Sequence, residues 1–346
     1  MDPYGLRRVV SPRGVLPQQA DVLDPALPLG EDELSISVEA LNVDAASFRQ
    51  IESAVGRDPE RIAAEVMAVV RRRGKMHNPV TGSGGMLVGR VRDVGPRHPA
   101  AGTLRPGDRV ATLVSLTLTP LRLAAVRAVR PEIERVECEG EAILFATGLW
   151  ARLPCDIPEA LALAALDVCG APALVARHAR PGQRVLVLGA GKSGALVCAQ
   201  AGESLGEGGE VVAADRSEAA LAALAAAGVC DRTVALDATD AVSSLERLSA
   251  AGAPFDLVVN CASVAGTEMA SILPVKEGGT VLFFSMATRF TAAALGAEGV
   301  GKDATLLVGN GYVPGHAELT LGLLRRHPGL RALFEQRYAN RATHAP

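Results

Sequence analysis

The sequence predicts an α/β chain in two parts: a β-rich first part and a second part folded around a doubly wound parallel sheet. Three observations predict it. Residues 185–194, VLVLGAGKSG, run an apolar strand into Gly189-x-Gly191-x-x-Gly194 and then into the helical stretch ALVCAQAG. From about residue 165 onward, short apolar strands alternate with alanine-rich helical segments. Before residue 150, glycine and proline punctuate short alternating runs, and one segment alone carries clear helix signals.

In the second part, strands are expected at 184–188, 210–214, 233–236, 255–260, 279–285 and 304–308. Helices are expected at 192–204, 217–227 and 240–251, with ASVAGTEMASILPVKEGG as a fourth crossover that Gly278-Gly279 stops. Six strands joined this way form a Rossmann-type sheet, which binds ligands at the carboxyl ends of its strands. The three glycines have separate tasks. The first permits the tight turn, the second lets backbone approach a pyrophosphate, and the third lets the helix pack on the strand, so that helix N–H groups face the anion.

Asp215 ends the next strand about 20 residues beyond Gly194, the spacing at which a carboxylate meets the adenosine ribose hydroxyls. Gly189, Gly191, Ser193, Gly194, Asp215 and Arg216 are therefore expected to hold a dinucleotide. Ser285 and Met286, at the end of the fifth strand, would edge its nicotinamide with their backbone. Asp215 favours NAD over NADP, because a carboxylate accepts from a free 2′-hydroxyl and repels a 2′-phosphate; Arg216 would partly offset that repulsion. Lys192 does not complete GxxxxGK[ST] and is expected to be solvated.

In the first part, Asp58 and Pro59 read as N-cap and first helical residue, and Gly74 as the stop. Ile62, Val66, Val69 and Val70 form one apolar face, and Arg71, Arg72 and Arg73 meet the helix dipole. His316 to Tyr338 reads as helical and is expected to return to the first domain, with 340–346 frayed. The expected domains are 1–164, completed by 313–346, and 165–312.

The 346 residues are 49% hydrophobic and 21% charged, enough for two apolar cores. With 35 basic against 38 acidic residues, net charge −3, and no basic stripe interleaved with aromatics, a nucleic-acid partner is excluded. No apolar run reaches the ~20 residues of a membrane span, and the N-terminus carries no export-type apolar region, so no membrane partner is expected. The six cysteines (138, 155, 169, 198, 230 and 261) form no CxxC, which argues against a structural zinc lobe and for reduced thiols in the cytoplasm.

GRVRDVG (89–95), LRPGDRVAT (104–112) and LNVDAASF (41–48) resemble segments of the medium-chain dehydrogenase/reductase superfamily. That resemblance implies a GroES-like catalytic domain ahead of the nucleotide domain. The superfamily's zinc enzymes carry a cysteine in the early loop and GHE before GxVxxVG. Here stand Asn42-Val43-Asp44 and Gly85-Met86, so a zinc-free member, with no metal, is implied; Cys169 or Asp167 alone would not hold a metal that needs three protein ligands. Longer strings resemble the L-erythro-3,5-diaminohexanoate dehydrogenase family: GKMHNPVTGSGGMLVG (74–89), ATLVSLTLTPL (111–121), AALDVCGAPA (164–173), TEMASIL (267–273) and the stretch 283–318. This implies NAD-dependent oxidation of the 3-amine of a small diamino acid in lysine fermentation, giving 5-amino-3-oxohexanoate, ammonium and NADH. A homo-oligomer, as a dimer, is the expected assembly.

Such a reaction needs a group that accepts and returns protons, and a cation and an anion for the substrate's carboxylate and second ammonium. Asp44 is a candidate base or ammonium anchor, or else a loop N-cap. Asn42 would orient substrate or water. Asp167, a charge embedded in an apolar run, is either functional or paired. His77 is a candidate proton shuttle, or an incidental loop histidine. Lys75 would take the carboxylate. Ser83, Ser115, Thr117 and Thr119 either line the cleft or face outward from a strand; Lys302, Asn310 and His316 have no assigned role. Two competing readings stand beside this one: a zinc-independent NADPH quinone or enoyl reductase, and a non-catalytic dinucleotide-binding sensor.

Overall fold

The computed structural model describes residues 1–77 and 84–339, and the chain divides into two units, Met1–Asp156 and Ile157–Pro346. The first unit carries strands β1 (Val9–Ser11), β2 (Val22–Leu23), β3 (Glu33–Asn42), β4 (Met86–Val94), β5 (Arg109–Thr112), β6 (Leu121–Arg130), β7 (Arg135–Phe145) and β8 (Trp150–Arg152). Its helices are α1 (Ala45–Val55) and α2 (Pro59–Arg73). The last six of these strands form an antiparallel sheet in the order β6-β7-β3-β4-β5-β8.

Along β3, Leu34, Ile36 and Val38 face the core, as a period of two requires. A bulge between Val38 and Ala40 then shifts the register against both neighbours. The extra residue reverses the parity, so Leu41 and Val43 become the core residues, and Asn42 and Asp44 are released from the core face. The other side of the sheet is ionic. Glu137, Glu139 and Glu141 of β7 pair with Arg130, Arg127 and Arg122 of β6, and Glu39 of β3 bridges Arg90 and Arg109.

Helix α2 is what the sequence predicts. Asp58 accepts from the Glu60 N–H at 2.9 Å, Pro59 sits in the first turn, and left-handed Gly74 closes the end. Ile62, Val66, Val69 and Val70 are buried. Helix α1 is absent from the sequence reading, although Phe48, Ile51 and Val55 recur at helical spacing and pack into the core. The SLTLT segment is not a strand. Ser115 caps a short 3-10 turn, Leu116–Leu118, and Thr117 and Thr119 are buried. At the N-terminus, fully buried Arg8 donates from Nε and Nη2 to Glu33 at 2.7 and 2.6 Å, and Arg7 adds two more bonds, from Nε at 3.2 Å and Nη2 at 2.6 Å. Burial pushes the Glu33 carboxyl up, but the two arginines and the Gly30 N–H outweigh it and hold it at about 2.

The second unit runs α3 (Glu159–Leu166), α4 (Gly170–His178), β9 (Arg184–Leu188), α5 (Lys192–Leu205), β10 (Glu210–Asp215), α6 (Glu218–Ala226) and β11 (Arg232–Ala235). It continues with α7 (Ala241–Ala250), β12 (Phe255–Asn260), α8 (Glu268–Ile272), β13 (Val275–Phe283), α9 (Phe290–Gly299), β14 (Ala304–Val308), α10 (His316–Arg326) and α11 (Pro328–Phe334). Its six strands are all parallel, in the order β11-β10-β9-β12-β13-β14, and the order reverses between β9 and β12. Val185 to Leu188 are wholly buried, as expected of a central parallel strand covered on both faces.

Four expectations are corrected. Gly278-Gly279 does not stop a helix: α8 ends at Ile272, just ahead of Pro274, and left-handed Gly278 sits inside β13. There the pairing jumps from Phe255↔Val275 to Leu257↔Thr280. The boundary falls at Asp156/Ile157, because apolar α3 packs on α5 and α10. Helices α10 and α11 pack on α4, α5 and α6 within the second unit, where the sequence reading placed 313–346 with the first. Pro328 divides the expected single helix at His327. Residues 340–346 lie outside the described residues, and among those described no single helix is long and apolar enough to cross a membrane.

Candidate functional site

Strand β9 delivers the glycine turn to the carboxyl edge of the second unit's sheet. Gly189 has a φ of 100°, and a Cβ there would stand 2.9 Å from backbone of Cys261 and Ala262. A Cβ on Gly194 would stand 1.8 Å from the Gly189 carbonyl, so the strand–helix contact itself requires glycine. A Cβ on Gly191 would meet nothing within 4 Å, and α5 begins there with no side-chain cap. The N–H groups of its first turn are thus available to an anion.

Asp215 accepts from the Ala190 N–H at 2.7 Å with one oxygen and from the Ser217 N–H at 2.8 Å with the other. Each oxygen retains a lone pair for a ribose hydroxyl. Beside it opens a cleft of about 150 Å³, lined by Gly189, Asp215, Arg216, Asp237, Thr239, Ala262, Ser263, Val264 and Thr267. This constellation fits the adenosine end of a dinucleotide.

Sequence reasoning missed Asp237, Thr239 and 262–267, although the carboxyl ends of the strands expected at 233–236 and 255–260 pointed to those loops. It also missed Asn260. This buried residue donates from Nδ2 to Thr267 Oγ1 (2.8 Å) and Ser271 Oγ (2.9 Å), and accepts from the Ala262 N–H at 3.0 Å. Its carbonyl accepts from the Phe284 and Ser285 N–H groups, so one side chain and one carbonyl fix the loops after β12 and β13 together. Ser193 and Ser285 are half-buried and Met286 is exposed; none of the three lines the cleft.

In the first unit, Asp44 is the N-cap of α1. One carboxylate oxygen accepts from the Ser47 N–H at 3.0 Å and the other from its hydroxyl at 2.5 Å. Asn42 is half-buried at the end of β3, with Oδ1 3.5 Å from Arg135 Nη1. His77 has a buried Nδ1 with no hydrogen-bond partner among the described residues. Burial, with Lys75 and Arg73 nearby, lowers its pKa, which favours the neutral form. Residues 78–83, including Ser83, lie outside the described residues.

Lys75 is fully buried and donates to the Pro17 and Gln18 carbonyls at 2.9 and 3.3 Å, so it ties down chain rather than meeting a substrate carboxylate. Burial above all brings it down to about 8. In the second unit, Asp167 is not a buried charge. It is 52% exposed at the C-cap of α3, ion-paired with Lys192, which is therefore not simply solvated. Lys302 donates to the Val275 carbonyl at 2.9 Å, Asn310 is exposed, and His316 is buried edge-on to Tyr312.

Gly85 has a φ of 85°, and a Cβ there would stand 2.0 Å from the Asn42 carbonyl oxygen. That position admits no ligand side chain without moving the backbone. Burial pushes the Cys169 thiol up to about 12, far from a metal-binding thiolate. Among the described residues, no three His, Cys, Asp or Glu side chains form a metal site.

Residues 7–154 match the family model described as the L-erythro-3,5-diaminohexanoate dehydrogenase N-terminal domain. The L-erythro-3,5-diaminohexanoate dehydrogenase of Acetoanaerobium sticklandii is 50% identical over 338 residues, covering 97% of this chain and 98% of the relative. That of Fusobacterium nucleatum is 48% identical over the same length and shares. In fold, the chain is similar to a mycobacterial protein solved in complex with NADPH, with a TM-score of 0.52 at 18% identity, covering 91% of this chain and 93% of that one.

Proposed function

This chain belongs to the L-erythro-3,5-diaminohexanoate dehydrogenase family, and from that premise we propose that it oxidatively deaminates L-erythro-3,5-diaminohexanoate to 5-amino-3-oxohexanoate, with NAD as acceptor. The observation that carries the reading is the 50% identity to a relative of that name along 97% of the chain. The dinucleotide supplies a hydride acceptor. Hydride leaves the carbon bearing the neutral 3-amine, water adds to the resulting iminium, and ammonium departs. A side chain must take a proton from that water and return one to the nitrogen.

Support for NAD over NADP comes from Asp215, whose carboxylate stands at the adenosine end of the cleft with a lone pair free on each oxygen. Support for Asp44, Asn42 and His77 as the reacting side chains comes from the β3 bulge, which releases the first two from the core face, and from the His77 ring, whose buried Nδ1 has no hydrogen-bond partner among the described residues. Asp167 is better read as a partner of Lys192 than as a base. The reaction proceeds without a metal in this reading, which the backbone packing at Gly85 supports. A homodimer is supported by exposed Phe290, Leu295, Val300 and Val308 on and beside α9 and the edge strand β14. A cytoplasmic setting is supported by six free thiols.

Purified protein should form NADH with 3,5-diaminohexanoate. It should do so far more weakly with 3-aminobutyrate, because a missing charge leaves a buried partner unpaired at about 2–5 kcal/mol. The reverse reaction should need ammonium, and activity should survive exhaustive chelation. Reduction of a quinone or an enoyl thioester by NADPH, with no NADH from the diamino acid, would overturn the reading.

A further inference from the structure

Lys192 and Asp167 both stand at the wrong ends of their helices. Lys192 is the first residue of α5, where the positive end of the helix dipole disfavours a cation. Asp167 is the C-cap of α3, where the negative end disfavours an anion. Each offsets the other through their ion pair. Residues that break a local rule in concert, beside a functional loop, are where function overrides local preference.

We propose that Lys192 is the cation that pairs with the pyrophosphate of the bound dinucleotide, and that Asp167 is its resting partner, displaced on binding. The inference rests on the dinucleotide reading above and assigns a charge partner within that site. Lys192 follows Gly191 directly and opens α5, and a side chain at a helix start leans toward the N-terminus, the end at which the glycine turn lies. The turn itself offers dipoles but no formal positive charge, and Asp215 consumes the Ala190 N–H. Of the other cations at hand, Arg216 lines the ribose end of the cleft, and Arg337, which donates from Nη1 to the Ala190 carbonyl at 3.3 Å, lines a second cleft with Ala190, Gly191 and Asp215 on the side of α6 and α11.

Without Lys192, the dianion would stand near an Asp167 carboxylate stripped of its ion-pair partner. The exchange is cheap, because both partners are substantially exposed, 33% for Lys192 and 52% for Asp167, and such pairs contribute little. Once the anion is in place, it takes over from Asp167 as the partner that offsets Lys192 against the helix dipole, and Asp167 is left to solvent.

The test is direct binding of NADH, followed by fluorescence, and of ADP-ribose, followed by calorimetry, to the wild type and to Lys192→Met, Lys192→Arg and Asp167→Asn. Lys192→Met should weaken both ligands about ten-fold at low salt, with the gap closing at high salt, and Lys192→Arg should restore most of it. Asp167→Asn should tighten both about two-fold or more, because the competing carboxylate is gone. Lys192→Met binding NADH within about two-fold of the wild type would overturn the proposal. So would weakening by Asp167→Asn, which would make Asp167 a prop for Lys192 rather than its competitor. Should Lys192→Met fail to fold, Lys192→Arg and Asp167→Asn still decide it. A wild type that binds neither ligand would sink the dinucleotide reading itself, whereas a wild type that binds with Lys192→Met indifferent sinks this inference alone.

Discussion

The two six-stranded sheets of this chain place their polar groups in opposite ways. In the first unit the strands are antiparallel, one face packs a core, and the other is laced with arginine–glutamate pairs such as Arg122–Glu141 and Arg130–Glu137. In the second the strands are parallel, both faces are covered by helices, and polar residues gather at the carboxyl ends, at Asp215 and Asn260. The difference teaches where each unit is vulnerable. The first depends on buried charge and on a register shift, whereas the second depends on close backbone approach at glycine.

The largest effect that would separate them is Arg8→Ala. It leaves the Glu33 charge buried with only Arg7, and should cost the first unit about 3–5 kcal/mol. The chain's single tryptophan, Trp150, lies in that unit, so its fluorescence reports the loss, while NADH binding reports the second unit. The same triad sets a pH limit. The folded pKa of Glu33, about 2, is below its ordinary 4.5, so its stabilisation is complete above about 4.5 and is lost as pH falls toward 2. Up to about 3 kcal/mol is at stake. An Arg8→Ala chain that melts as the wild type does, by tryptophan fluorescence, would break the comparison.

Next comes Gly194→Ala, which forces a contact with the Gly189 carbonyl and should destabilise the second unit by about 1–3 kcal/mol. Gly191→Ala is its control: with open space around it, melting should stay within about 0.5 kcal/mol while NADH binding weakens. Equal melting of the two variants would remove the argument from backbone approach. Asp215→Ser should shift the NAD over NADP ratio of kcat/KM about ten-fold toward NADP, or about 1.4 kcal/mol. A wild type indifferent between the two would refute the role given to Asp215.

The smallest effect is the most discriminating for the first unit. Asp44→Ala should cost about 1 kcal/mol through the lost cap of α1, whereas Asp44→Asn keeps the cap and should melt as the wild type does. If Asp44 also serves as acid or base, Asp44→Asn lowers kcat; if it anchors ammonium, KM rises instead. Unchanged kinetics in Asp44→Asn would leave Asp44 a cap alone.

Helix α2 was legible in full because its cap, its apolar stripe and its stop all lie within one stretch of chain. The run from β9 through Asp215 was legible for the same reason. Asp167 was legible only as functional or paired; its pairing with Lys192 and its exposure at a C-cap were not, because its apolar sequence neighbours say nothing about which way a C-cap residue points. Gly278-Gly279 was misread because a glycine pair suits a helix end and a kink inside a strand equally well, and only pairing with β12 and β14 distinguishes them. Helix α1 was passed over although Phe48, Ile51 and Val55 mark it, because residues 41–48 read as a loop.

By itself the sequence determined the parallel sheet with its glycine turn, the Asp215 position and the kinship with the diaminohexanoate dehydrogenases, since these are carried by local spacing and by strings of residues. The tertiary structure decided the β3 bulge that sets Asn42 and Asp44 free, the assignment of α10 and α11 to the second unit, the Lys192–Asp167 pair and the hub at Asn260. Each of these depends at least in part on contacts between residues separated by other elements of the chain, as the Asn260 carbonyl and the Phe284 N–H are. Such contacts are fixed by which surfaces bury one another, a property that no single stretch of sequence carries.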